Sequence, residues 1–222
     1  MTDAFLRPDP ARGRPGDAAY ARLYATSHRV VADEVAYRAG YLDILTLDGL
    51  LPDGYSLLDV GCGTAGYHRL ATRAGAILGL DLTPAMIEEA ERLRAESGET
   101  HRRYVCATFE STPFDEPFDA IRFAGIYGWY RPWHGARDVL ARLSGLLRPG
   151  GVVAVSYTPP RTPLQGVKAM LAPSRTVLIF RGRFLAMLRG AGLAPLCEIR
   201  LPHTVLTFAR KPPEAAAGTE AG

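Results

Sequence analysis

Asp59-Val60-Gly61-Cys62-Gly63-Thr64-Ala65-Gly66 is the stretch that decides the fold. It closes a β-rich run, Ser56-Leu57-Leu58-Asp59-Val60, bounded by Gly54 and Gly61, and it fits the pattern G-x-G-x-x-G. Gly61 and Gly63 carry no Cβ, so a ligand can lie against their backbone while the chain turns toward a helix N-terminus. A helix is expected over roughly 65–73, stopping at Gly75. The next run, Ala76-Ile77-Leu78-Gly79-Leu80-Asp81, reads as a second strand. Asp81 then stands beside the glycine turn at the carboxyl edge of a parallel sheet, where a carboxylate can accept both hydroxyls of a ribose.

Outward from this turn, strands and helices alternate. Thr83 and Pro84 announce a helix whose Met86, Ile87, Ala90 and Leu93 share one face. Strands three and four fall near 104–107 and 119–123, and a helix carrying Val139, Leu140, Leu143, Leu146 and Leu147 is ended by Arg148-Pro149-Gly150-Gly151. Strand five is 152–157; an irregular, Pro-rich segment over 158–174 and a short helix near 183–188 come next. The final strands, 194–201 and 204–209, are joined by Pro202-His203, a link so brief that it permits only an antiparallel hairpin. The fold class is α/β: a doubly wound, mainly parallel seven-stranded sheet with an antiparallel last strand. One domain over 18–211 is expected, with residues 18–48 as N-terminal helices or a lid. Residues 1–17 and 212–222 lack apolar periodicity and read as mobile tails.

Composition narrows the function. The chain has 222 residues, 47% hydrophobic and 22% charged, enough for one substantial core. Its charge of +3 comes from 26 basic and 23 acidic residues scattered along the chain, so there is no strong nucleic-acid signal. Cys62, Cys106 and Cys197 are widely spaced and form no CxxC pair, which gives neither a disulfide framework nor a metal site and fits a reducing, cytoplasmic setting. No apolar run approaches the roughly 20 residues of a membrane span.

Four segments, in order, resemble the class I S-adenosylmethionine-dependent methyltransferases over roughly 55–210. LLDVGCGTAGYH matches that family's first motif, including the carboxylate two positions before the first glycine. GLDLTPAMIEEAERL matches its second strand and helix, ESTPFDEPFDAI the stretch before strand four, and LLRPGGVVAVS the turn into strand five. The resemblance implies S-adenosyl-L-methionine as cofactor and methyl transfer to a nucleophilic O, N or C atom. It places the methionine part near Asp59, Gly61 and Gly63, the ribose on Asp81 and the adenine on Leu82. Thr108 and Phe109 align with the family's adenine contacts, and Thr108 stands where many relatives have Asp. A nicotinamide-dependent oxidoreductase would use the same turn and acid, but the four-motif order speaks against it. RNA and protein methyltransferases stay open as alternatives, as does a partner subunit that binds cofactor without turnover. The absence of an appended recognition domain and of a basic stripe favours a small-molecule acceptor, and oligomeric state is left unset.

Acceptor candidates follow strand four. Tyr127, Trp129 and Trp133 can wall a pocket at the ligand edge, and His134 is the candidate base. Tyr20, Tyr24 and His28, spaced by four, form a second set on a covering helix. Core packing accounts for either set equally well.

Overall fold

The computed structural model describes residues 35–124, 133–171, 178–202 and 204–214. Both expected tails, apart from 212–214, lie outside these residues, as do Tyr20, Tyr24, His28, Tyr127 and Trp129.

Seven strands form one sheet: β1 (Tyr55–Val60), β2 (Ala74–Asp81), β3 (Arg102–Cys106), β4 (Phe118–Phe123), β5 (Leu147–Tyr157), β6 (Ala194–Arg200) and β7 (Val205–Arg210). Their order is β3-β2-β1-β4-β5-β7-β6. The first five pair in parallel, and β7 runs antiparallel to both β5 and β6. The chain reverses direction in the sheet between β1 and β4, so the carboxyl ends of those strands open a crevice there.

The helices are α1 (Val35–Leu50), α2 (Pro84–Ser97), α3 (Trp133–Leu146), α4 (Pro163–Leu171) and α5 (Arg181–Gly190). Successive strand side chains point to opposite faces, and the central strands are buried on both. Leu58, Val60, Ile121, Phe123, Val153 and Val155 pack with Leu140 and Leu143 of α3 and with Phe184 and Leu188 of α5. Leu57, Ala120, Val152, Ala154 and Phe208 pack with Ile44 and Leu47 of α1. These two apolar layers are why β1, β4 and β5 read as nearly continuous hydrophobic runs.

Three expectations need correction. The helix over 65–73 does not form, and only a 3-10 turn, His68–Leu70, occupies that stretch. Thr64, Gly66 and Thr72 are poor helix formers, and a helix advances about 1.5 Å per residue against about 3.3 Å for extended chain. With so few residues to return along β1, and with Tyr67 and His68 drawn inward, the chain crosses without a helix. Next, Arg148-Pro149-Gly150-Gly151 does not end α3; it lies inside β5, with Gly150 at φ 83°. Leu147 pairs with Phe118 and Val152 with Ala120, so the tetrad bulges opposite Asp119. The Pro-rich segment after β5 contains a helix, α4, with Pro163 as its first residue, where a missing N–H costs nothing. Among the described residues no helix is long and apolar enough to cross a membrane.

Close packing beneath the glycine turn yields a stability test. A Cβ on Gly79 of β2 would lie 2.7 Å from Tyr104 Cδ1 and 2.9 Å from Cys62 Sγ. Gly79→Ala should therefore cost about 1–3 kcal/mol by overpacking, seen as a lower denaturant midpoint at unchanged slope. An unshifted midpoint would show that Tyr104 and Cys62 yield freely.

Candidate functional site

The turn after β1 is fastened to β2 from its first residue. Gly61 N–H and Cys62 N–H both donate to Leu80 O, at 2.8 and 2.9 Å. The backbone is then left-handed at alternate positions: Gly61 (φ 76°), Gly63 (φ 55°) and Ala65 (φ 54°). Glycine adopts this conformation without strain, whereas Ala65 does so at a cost. Gly63 N–H donates to Asp81 Oδ2 at 2.9 Å, and Thr83 N–H donates to Asp81 Oδ1 at 2.9 Å. One carboxylate thus ties the turn to the start of α2, and each oxygen retains a lone pair. A Cβ built on Gly63 or Gly66 meets nothing within 4 Å, so the turn's outer face is open. Leu82, beside Asp81, is 46% exposed.

Asp59 lies under this turn, not on its open face. It is fully buried, and its carboxylate is surrounded by donors. Arg122 Nη1 donates to Oδ1 at 3.0 Å; Tyr67 O–H and His68 Nε2–H donate to Oδ2 at 2.9 and 2.8 Å. His68 Nδ1 is 3.0 Å from the Tyr104 hydroxyl. Tyr67 O–H also reaches Cys62 O at 3.0 Å and accepts from Arg122 Nη1 at 2.9 Å, with the guanidinium 4.6 Å from its ring centroid. Arg122 Nε donates to Asp43 Oδ2 of α1 at 3.1 Å.

Two buried carboxylates share this one guanidinium and are pushed apart. Burial raises the Asp59 carboxyl, but Arg122 and the His68 hydrogen bond outweigh it and hold the group at about 2. For Asp43, burial wins over the Arg122 charge, helped by the Asp59 charge, and the group rises to about 6. Burial pushes the Tyr67 phenol up, so it remains a neutral donor.

The structure brings Gly61, Gly63, Asp81 and Leu82 together at the open edge, with Asp59 beneath them. Thr108 follows Ala107, whose N–H bonds to Asp81 O at 3.1 Å. Its hydroxyl is engaged by Ser111, accepting from Ser111 N–H at 3.1 Å. Phe109 faces the core, 2% exposed, with Phe123 5.6 Å and Phe114 6.1 Å away, centroid to centroid. Trp133 and His134 open α3, and their side chains lie outside the described residues, like Tyr127 and Trp129 altogether. Sequence reasoning missed Asp43, Tyr67, His68, Tyr104 and Arg122. The available signal was Arg122 itself: a cation inside the apolar run FDAIRFA demands a buried partner.

Residues 57–151 match the family model described as "Methyltransferase domain". The whole sheet, with its antiparallel β7, superposes on the N-methyltransferase NodS from Bradyrhizobium japonicum WM9, solved with S-adenosyl-L-homocysteine: TM-score 0.69, 15% identity, 90% of this chain and 100% of that one. Over this region the chain is similar to class I S-adenosylmethionine-dependent methyltransferases. Two methyltransferases resemble it over a little under half of its length. The 24-methylenesterol C-methyltransferase 2 of Oryza sativa subsp. japonica is 33% identical over 109 residues, covering 47% of this chain and 29% of that enzyme. The ubiquinone biosynthesis O-methyltransferase of Bradyrhizobium sp. (strain ORS 278) is 33% identical over 107 residues, covering 46% and 40% respectively. The matched part of this chain therefore spans well under two thirds of those relatives' length.

The divided carboxylates make opposite contributions to stability. Unfolded carboxyls titrate near about 4. Asp59, held at about 2, leaves the unfolded state with more protons between those values, so its contribution is lost as pH falls through that window. Asp43, raised to about 6, leaves the native state with more protons between 4 and 6, so its contribution is present at low pH and lost as pH rises. Urea titrations should show wild-type stability, relative to Asp43→Asn, falling as pH rises through this second window. A flat difference would mean that Asp43 titrates as an ordinary carboxyl.

Proposed function

We propose that this chain is an enzyme that transfers a methyl group from S-adenosyl-L-methionine to a nucleophilic O, N or C atom of a small molecule. The observation that carries this reading is the open backbone face at Gly63, latched to the Asp81 carboxylate. These residues fit the cofactor: Gly63 leaves space for a ligand, Asp81 retains acceptors for two ribose hydroxyls, and exposed Leu82 offers an apolar surface for adenine. When bound, the cofactor supplies a methyl group on a positively charged sulfur with a neutral leaving group.

The protein's part is then alignment of the acceptor and exclusion of water. Asp59, already enclosed by three donors from Arg122, Tyr67 and His68, serves the cofactor by shaping the turn from below. Thr108, which follows the residue bonded to Asp81, supplies a hydroxyl near the adenine in place of the family's usual acid, and Phe109 backs that segment from the core. Tyr127, Trp129 and Trp133 are the proposed acceptor wall, with Tyr20, Tyr24 and His28 on a covering lid within a single domain over 18–211. His134 is the proposed base, needed only where the nucleophile arrives protonated. The excursion after β5 supports an apolar acceptor: α4 exposes Leu164 (65%), Val167, Met170 and Leu171 (81%). A sterol enzyme among the relatives points the same way. A cytoplasmic location fits the free thiols of Cys62, Cys106 and Cys197.

Two measurements test the reading. Incubation of metabolite, RNA and protein fractions with methyl-labelled cofactor should place label in the metabolite pool; label confined to RNA or protein would overturn the acceptor class. By calorimetry, S-adenosyl-L-homocysteine should bind far more tightly than NADH, and Asp81→Ala should weaken it by about 1–3 kcal/mol in a variant that remains folded. Unchanged affinity would remove Asp81 from the ribose site.

A further inference from the structure

The cofactor turn is connected to α1 by an unbroken buried chain of polar contacts. Asp43 Oδ2 accepts from Arg122 Nε at 3.1 Å; Arg122 Nη1 reaches Asp59 Oδ1 at 3.0 Å and Tyr67 Oη at 2.9 Å; Tyr67 O–H reaches Cys62 O at 3.0 Å. Cys62 sits between the two turn glycines. Every charged member is buried: Asp43 and Asp59 completely, Arg122 to 6% exposure. Asp43 Oδ1 is buried without a hydrogen-bond partner.

Such a cluster is a poor source of stability. Desolvating three ionisable groups costs about as much as their attraction returns, and well-packed apolar residues commonly do as well or better. Its effect is instead geometric. The turn holds a non-glycine residue, Ala65, at φ 54°, a conformation that persists only where neighbours over-determine it. The Tyr67 hydroxyl, fixed by Arg122, holds the Cys62 carbonyl from below, and Arg122 is itself fixed from α1.

We infer that Asp43 and Arg122 are positioning residues for the cofactor: seating α1 on the sheet and shaping the turn at 61–65 are one event. Neither residue lies on the turn's open face; both act through Tyr67 and Asp59. A member of the N-terminal helix thereby sets cofactor affinity from beneath the site.

This inference rests on the cofactor reading above, and the test separates the two. Wild-type affinity for S-adenosyl-L-homocysteine is measured first by calorimetry; no binding would sink the cofactor reading itself. Asp43→Asn, which keeps volume and one acceptor, should raise Kd about tenfold, a typical strength for coupling through a packed network. Ile44→Val, next to it on α1 and outside the network, should lower Tm with Kd unchanged. Tyr67→Phe should also raise Kd, and the Asp43→Asn/Tyr67→Phe pair should raise it by less than the product of the single effects. Equal Kd changes per degree of Tm lost in Asp43→Asn and Ile44→Val would reduce the effect to packing and overturn the inference. Strict multiplicativity in the double variant would overturn it as well. Should Asp43→Asn fail to fold, Tyr67→Phe binding with wild-type affinity would do the same.

Discussion

A guanidinium placed where the sheet is otherwise apolar governs this structure. Arg122 is the penultimate residue of β4, in a layer filled mainly by apolar side chains. A lone cation there would cost several kcal/mol, so the neighbouring elements must bring acceptors to it. β1 brings Asp59, α1 brings Asp43, and the turn after β1 brings the Tyr67 hydroxyl and ring face. One cation against two carboxylates leaves the second carboxylate underserved. That imbalance is the physical reason why Asp43 holds its proton more tightly than Asp59 does.

The same demand shapes the crossing from β1 to β2. Tyr67 and His68 turn inward to serve Asp59, and a regular helix could not place two adjacent side chains on one buried carboxylate, because neighbours on a helix project about 100° apart. The helix expected over 65–73 is replaced by a 3-10 turn, His68–Leu70. The positive end of a helix dipole is consequently not available directly after the glycines. Individual N–H groups and the Asp81 carboxylate do the holding instead, and the nearest helix with its N-terminus at this edge is α2, entered through Thr83.

The sheet was legible because its evidence is redundant. Each central strand is a nearly continuous apolar run with glycine or proline close by, and the Pro202-His203 link admits only a hairpin. The meeting of the glycine turn with Asp81 was legible for a related reason: in a parallel sheet the end of β2 lies beside the turn that follows β1. The helix after the turn was misread because glycine spacing signals the turn but says nothing of what Tyr67 and His68 must do. Asp59 was placed near the cofactor by resemblance, and its spacing from the glycines says nothing of the donors that enclose it beneath the turn. Asp43 was invisible, because nothing local marks a helical aspartate as the partner of a residue 79 positions away. The bulge at 148–151 hides for the opposite reason, as Pro-Gly-Gly looks like a terminator until the pairing of Leu147 with Phe118 is known.

The excursion after β5 leaves the sheet at Thr158 and returns at Leu178, where the two residues form a parallel bridge and Ile179 N–H donates to Thr158 O at 2.9 Å. Its two feet therefore stand side by side, and the hydrogen-bonded scaffold does not depend on what is strung between them. Closing such a loop grows more costly only slowly with length, by about 0.6 kcal/mol for each doubling. This makes the segment a replaceable cassette: its length and composition can change while the strands that carry the glycine turn never register the difference.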